Sequence, residues 1–170
     1  MNNAIRPDRH LFPTLPRRPI RVVLDGVTHL PNIGTMFRLC DAFRIERLHV
    51  CGLELQVHKR KLVRAASGTI PWVPWSSGEH ALDVIRVSQA AGYSIAAVEL
   101  AEGAVPPEEL RTDRPLCLVL GSERQGVSPA ILSAVDQRIQ IPTDGLGGSI
   151  NLATAAAIVM YEAARRFTLA

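Results

Sequence analysis

Ile20 to Leu24 is a β-branched apolar run, which predicts a first strand, and Asp25 to Pro31 is the loop that leaves it. From Asn32 the spacing turns helical. Ile33, Met36, Phe37, Cys40 and Phe43 recur at i, i+3, i+4, i+7 and i+10, one stripe facing a sheet, with Arg38 off that stripe. Arg47 to Cys51 reads as a second strand closed by Gly52, and Val57 to Ala66 as a helix ended by Ser67 and Gly68. Ile70 to Trp75 gives a short strand that Pro71 and Pro74 confine to an edge, with Trp72 and Trp75 as packing residues. A third helix over Gly78 to Ala91, a strand over Tyr93 to Val98 and a loop with about one helical turn over Glu99 to Arg114 follow. Leu116 to Leu120, LCLVL, is apolar without interruption, as a central parallel strand buried on both faces must be. Ser128 and Pro129 open a short helix to Val135, and Arg138 to Ile141 is the last strand.

Alternation of this kind implies an α/β fold: a mostly parallel sheet with helices on both faces, in one domain over residues 20–170. The last stretch, Ile141 to Arg166, joins a strand end to a glycine-rich loop and a helix that is apolar on almost every side. Such a helix must be buried on more than one side, by its own sheet and by a partner subunit. Two readings of the loop stand together. Gly145, Gly147 and Gly148 allow positive φ and close backbone approach, which suits a ligand cradle, and equally suit a connection to a core helix capped by Ser149.

Composition narrows the partners more than the fold. The chain has 170 residues, 47% hydrophobic and 21% charged, an ordinary globular balance. A net charge of +3 and an isoelectric point near 9.1 admit a polyanionic partner without requiring one. Cys40, Cys51 and Cys117 are an odd number with no CxxC pair, which supports neither a disulfide framework nor a zinc site and fits a reducing cytoplasm. The five histidines show no i, i+4 pairing and no acidic companion, so no metal site is expected. No run reaches the ~18 apolar residues of a membrane span, and the N-terminal segment lacks a signal-peptide core. Residues 1–19, with four prolines among Arg6, Arg9, Arg17 and Arg18, read as a flexible basic arm. This arm and the cluster Lys59, Arg60, Lys61 and Arg64 are each either a solvated face or a phosphate-gripping surface.

Three strand-to-helix segments each begin at a strand end and so can converge on one sheet edge: LPNIGTMFRLCDAF (Leu30 to Phe43), LVLGSERQGVS (Leu118 to Ser128) and IPTDGLGGSINLATA (Ile141 to Ala155). None is a GxGxxG, P-loop or GxSxG motif, and no acidic residue stands where a dinucleotide-binding fold needs one. As an ordered set they resemble the SpoU class (TrmH type) of the SPOUT RNA methyltransferases, whose motifs are N-x-G-x-x-x-R, G-x-E-x-x-G and I-P-x-x-G-x-x-x-S-x-N. Here these are Asn32, Gly34 and Arg38; Gly121, Glu123 and Gly126; and Ile141, Pro142, Gly145, Ser149 and Asn151. The resemblance covers about residues 20–167. Two positions depart from the usual pattern, Arg44 after Ala42 and Phe43, and Arg124 after Glu123, where glycine is common. Both add positive charge to the expected RNA face.

The resemblance implies a Rossmann-like homodimer with a C-terminal deep trefoil knot, which binds S-adenosylmethionine and methylates a ribose 2'-hydroxyl of tRNA or, less favoured, rRNA. It implies a cofactor site at Val98, Gly121, Ile141, Ser149 and Ile150, and catalytic roles for Arg38, Asn32, Glu123, Ser149 and Asn151. Because a guanidinium does not release its proton under ordinary conditions, Arg38 is expected to bind the phosphate beside the target ribose rather than to act as base. Arg17, Arg18, Lys59, Arg60, Lys61, Arg64 and Arg124 are the expected RNA contacts, and the alternative is a non-catalytic RNA-binding dimer that keeps the fold.

Overall fold

In the computed structural model, which describes residues 8, 10–147 and 149–169, the two strongest strand signals lie side by side. β1 (Arg18–Asp25) pairs in parallel with β5 (Leu116–Gly121), from Ile20 opposite Leu116 to Asp25 opposite Gly121. Every residue of β5 is buried, as its apolar sequence requires. β2 (Ile45–Cys51) and β3 (Trp75–Ser77) extend the sheet beyond β1, while β4 (Ser94–Val98) and β6 (Gln137–Ile139) extend it beyond β5. The order is β3-β2-β1-β5-β4-β6 and all pairings are parallel, so Asp25, Gly121, Val98 and Ile139 end their strands along one edge.

Strand residues alternate between two cores. Val22, Leu24 and Leu118 meet α1 (Leu30–Ala42), α2 (Arg60–Ala66) and α5 (Leu152–Ala164), with Ile33, Met36, Phe37 and Cys40 of the predicted stripe packed beside Ala156, Val159 and Met160. Val23, Cys117 and Val119 meet α3 (Ala81–Ala90) and α4 (Pro129–Leu132) on the opposite face through Ile85 and Ile131. Gly34 lets α2 approach α1 closely: a Cβ there would lie 2.6 Å from Ala65 Cβ and 2.8 Å from the Leu62 carbonyl oxygen.

Several boundaries move for local reasons. The helix expected from Val57 starts at Arg60, because Lys59 is extended and bonds back to Gln56 in a turn. The strand expected over Ile70 to Trp75 is a 3-10 turn at Ile70–Trp72 followed by edge strand β3, the prolines having excluded a ladder. The third helix begins at Ala81 rather than Gly78, whose φ of +86° is not helical. The short helix ends at Leu132, the last strand covers Gln137–Ile139, and Ser128 makes no side-chain cap bond. Asn151, not Ser149, caps α5, accepting from the amides of Ala153 at 2.8 Å and Thr154 at 3.3 Å.

The N-terminal segment is anchored, contrary to the expectation of a loose arm, from Phe12 onward. Phe12–Thr14 form a 3-10 turn, and Arg44 donates to the carbonyls of Phe12 (3.0 Å), Leu15 and Pro16 (2.9 Å) while its guanidinium lies 4.3 Å from the Phe12 ring centroid. Arg44 has a φ of +52°, the left-handed region where glycine is favoured, and a non-glycine residue costs about 1–2 kcal/mol there. The bonds to the arm offset that cost. Arg44 is only 8% exposed, so the expected role on an RNA face gives way to a structural one.

Candidate active site

The three motif segments meet at the strand-end edge, joined by a short run of side-chain hydrogen bonds. Asn151 Nδ2 donates to Asn32 Oδ1 at 3.3 Å, and Asn32 Nδ2 donates to the Glu123 carboxylate. Asn32 sits in the first turn of α1 and is 6% exposed, so its amide has little water to turn to and is held by the other two motifs. Asn151 is held in turn by its own capping bonds.

The middle segment is a tight reverse loop. Gly126 N–H donates to Ser122 O at 2.9 Å, and a Cβ on Gly121 would lie 1.9 to 2.1 Å from backbone atoms of Gly126 and Val127. Gly126 itself has φ +65°. Here glycine is required by the fold of the loop. Gly145 and Gly147 differ: neither has positive φ, a Cβ on Gly145 would meet nothing within 4 Å, and one on Gly147 would come no closer than 4.0 Å to Ser149 O. The expected need for left-handed backbone therefore does not hold at these two positions, and Gly148 lies outside the described residues. What Gly145 and Gly147 leave is open room.

Between the middle and last segments lies a cleft of about 830 Å³, lined by Val98, Gly121, Ile141, Ser149 and Ile150 together with Glu123, Arg124 and Asn151. Ser149 is exposed, and its amide donates to Gly147 O at 2.7 Å. Arg38 lies elsewhere. It is exposed, about 9 Å along α1 from Asn32 by helical rise, and is not part of the cleft wall. Two carboxylates that sequence reasoning passed over hold the loop: Glu99 Oε2 accepts from Val127 N–H at 2.7 Å, and Asp25 Oδ2 from Ser128 N–H at 3.0 Å. Each stands at or just past the end of an apolar strand run, and that position was the available signal.

The basic residues divide. Arg17 donates to Ile45 O at 3.2 Å and Trp72 O at 2.6 Å, and Arg18 to Ala164 O, Phe167 O and Phe43 O between 2.7 and 2.9 Å. Their guanidinium groups serve the fold. Lys59, Arg60, Lys61 and Arg64 are exposed on and beside α2 without an ion pair among the described residues, and Arg124 is exposed at the cleft. One histidine does have an acidic companion, which its sequence neighbourhood did not reveal: buried His49 lies 3.0 Å from Ser76 Oγ and 3.6 Å from Glu79. No group of three or more His, Cys, Asp or Glu side chains suited to a metal ion occurs among the described residues. Among them, too, no helix is long and apolar enough to cross a membrane.

The chain is similar to known proteins over most of its length. It is 30% identical over 151 residues to the tRNA (guanosine(18)-2'-O)-methyltransferase of Escherichia coli, an alignment that covers 88% of this chain and 65% of that one. Its structure superposes on the TrmH/SpoU tRNA modifying enzyme of A. aeolicus with a TM-score of 0.82, 29% identity and coverage of 93% of this chain and 81% of that one. It superposes on an AdoMet-bound rRNA methyltransferase from Sinorhizobium meliloti with a TM-score of 0.81, 28% identity and coverage of 91% and 60%. Matching the model of the SpoU rRNA Methylase family across residues 19–161, with all three motif segments inside that span, the chain belongs to that family.

Proposed function

We propose that this chain transfers a methyl group from S-adenosylmethionine to a ribose 2'-hydroxyl of RNA. The observation that carries the reading is the bonded set Asn151, Asn32 and Glu123, which ties all three family motifs together beside one cleft. The cleft suits the cofactor in its donor set: apolar walls from Val98, Ile141 and Ile150 for an adenine, and lining backbone at Gly121 and Ser149 for polar edges. When bound, S-adenosylmethionine supplies a methyl group already activated on a sulfonium, so neither a metal nor a covalent intermediate is needed.

The chain's own residues then have to position and to handle charge. Glu123, held by Asn32, presents a carboxylate at the cleft, and Ser149 lines it with a hydroxyl. Arg38 binds the phosphate next to the target ribose and lowers the pKa of the hydroxyl, while a phosphate oxygen or water takes the proton. Because Arg38 lies off the cleft of its own chain, the site is completed in a homodimer, with a second copy bringing its Arg38 to this cleft. The apolar groove of about 500 Å³ between Pro107, Pro142 and α5, with Ile158 and Tyr161 exposed, is the face for that contact. The trefoil knot implied by the family belongs to the same reading, as does a cytoplasmic setting for three buried free thiols.

The RNA is tRNA in preference to rRNA, in line with the names of the E. coli and A. aeolicus relatives. It is gripped by Lys59, Arg60, Lys61, Arg64 and Arg124, whose charges are free to meet phosphates. Titration calorimetry with S-adenosylmethionine tests the cofactor: no heat at millimolar concentrations removes the enzyme reading and leaves an RNA-binding protein. Methyl transfer to total RNA from a strain lacking the protein, followed by nucleoside mapping, tests the reaction. A 2'-O-methylribose is expected, and a methylated base overturns it. RNA affinity should fall steeply with salt, and a flat response rejects the phosphate contacts.

A further inference from the structure

We infer that Glu99 and Asp25 form a carboxylate clamp that holds the Gly121–Ser128 loop in its cofactor-binding shape, making Glu99 a positioning residue for the reaction. The inference rests on the cofactor reading above. β5 lies between β1 and β4, so the loop leaving it emerges between two strand ends. Asp25 closes β1, in register with Gly121, and Glu99 follows Val98, which is in register with Leu120. From these flanking positions the two carboxylates accept from adjacent backbone amides, Glu99 from Val127 at 2.7 Å and Asp25 from Ser128 at 3.0 Å.

Glu99 is itself oriented, its Oε1 accepting from Leu100 N–H at 3.0 Å. Its Oε2 occupies the space that a side chain on Gly126 would need, a Cβ there falling 2.3 Å away. The glycine and the carboxylate fit one another. Glu99 also lines the cleft, so its hold on Val127 connects the cleft wall directly to the loop that carries Glu123 and Arg124. With both amides held, the loop is ordered before ligand arrives, and the ordering entropy is not charged against binding. A charge-assisted bond of this type is also about twice as strong as a neutral one.

The test uses the full chain with Glu99→Ala and Glu99→Gln. Three quantities are measured: S-adenosylmethionine affinity by calorimetry, amide hydrogen exchange at Val127, and cofactor KM against kcat in methyl transfer. Loss of a bond to a charged group predicts about tenfold weaker cofactor binding in Glu99→Ala and exchange at Val127 faster by about tenfold or more. The rise belongs in KM, with kcat at saturating cofactor little changed. Glu99→Gln keeps an oxygen that can accept from Val127 and should recover most of both losses. A merely structural role would lower the amount of active protein without moving KM and without rescue by glutamine. Should Glu99→Ala not fold, Asp25→Ala, read by exchange at Ser128 and the same titration, carries the test. Absence of binding by the unaltered chain overturns the cofactor reading. Binding by the unaltered chain that the alanine substitution leaves within about twofold overturns the clamp alone.

Discussion

Glycine does different work at each motif. At Gly34 it lets two helices touch, and at Gly121 it lets a loop fold back on its own strand, whereas at Gly145 it leaves space empty. Gly34→Ala must push α2 away and should cost about 1–3 kcal/mol, measurable as a lower denaturation midpoint, while Gly145→Ala should leave that midpoint nearly unchanged. A motif letter G in the sequence could not separate these cases, since the neighbour that forbids a Cβ is remote in the chain: Ala65 for Gly34, Glu99 for Gly126. His49 was equally silent. Burial holds its imidazole below the ordinary value near 6.5, opposed by Glu79 and reinforced by Arg47. Below 6.5 the unfolded chain takes up a proton that the folded chain resists, so the stability from this site is full above that value and falls as pH drops through it toward the lowered one. Unfolding midpoints compared above and below that value should show a smaller acid loss in His49→Gln than in the unaltered chain.

At the scale of elements, the long periodic signals were legible and the short ones were not. The α1 stripe and the unbroken β5 run owe their form to burial, which acts on every residue of the element, so the sequence records it repeatedly. The start of α2 and the 3-10 turn at Ile70–Trp72 depend on one or two backbone angles, which apolar spacing does not encode. The cap of α5 is an instructive case. Ser149 and Asn151 are both good N-cap residue types, but only Asn151 has its carbonyl oxygen within reach of two free amides. Asn151→Ala should therefore lower stability by about 1 kcal/mol in thermal unfolding and also release Asn32. Ser149→Ala should leave the melting temperature unchanged and lower methyl transfer, and equal thermal losses in both variants would refute this division.

At the scale of the molecule, apolar surface remains on α5 after the fold is complete, with Tyr161 60% and Ile158 40% exposed beside a groove. Tyr161→Glu should shift the mass seen by light scattering from two copies to one and abolish methyl transfer while cofactor affinity is retained, because the second Arg38 would be missing. A monomer before substitution would overturn the dimer. The three motifs come together beside one cleft, as their order suggested, whereas Arg17, Arg18 and Arg44, expected at the RNA face, donate to backbone carbonyls, since charge in a sequence does not show which carbonyls it will meet after folding.

One of the same arginines fixes how the first strand meets the last helix. Arg18 at the start of β1 donates to Ala164 O at the end of α5 and to Phe167 O just past it, so the first strand and the last helix are stapled to each other. The staple lies at the strand-start edge, and the cleft lies at the other end of strands that rise about 3.3 Å per residue, some 20 Å away. A fluorophore or affinity handle placed beside Arg18 or Phe167 would sit at the strand-start edge, clear of the cleft, and only a tether long enough to travel the length of a strand would let it reach over the cleft.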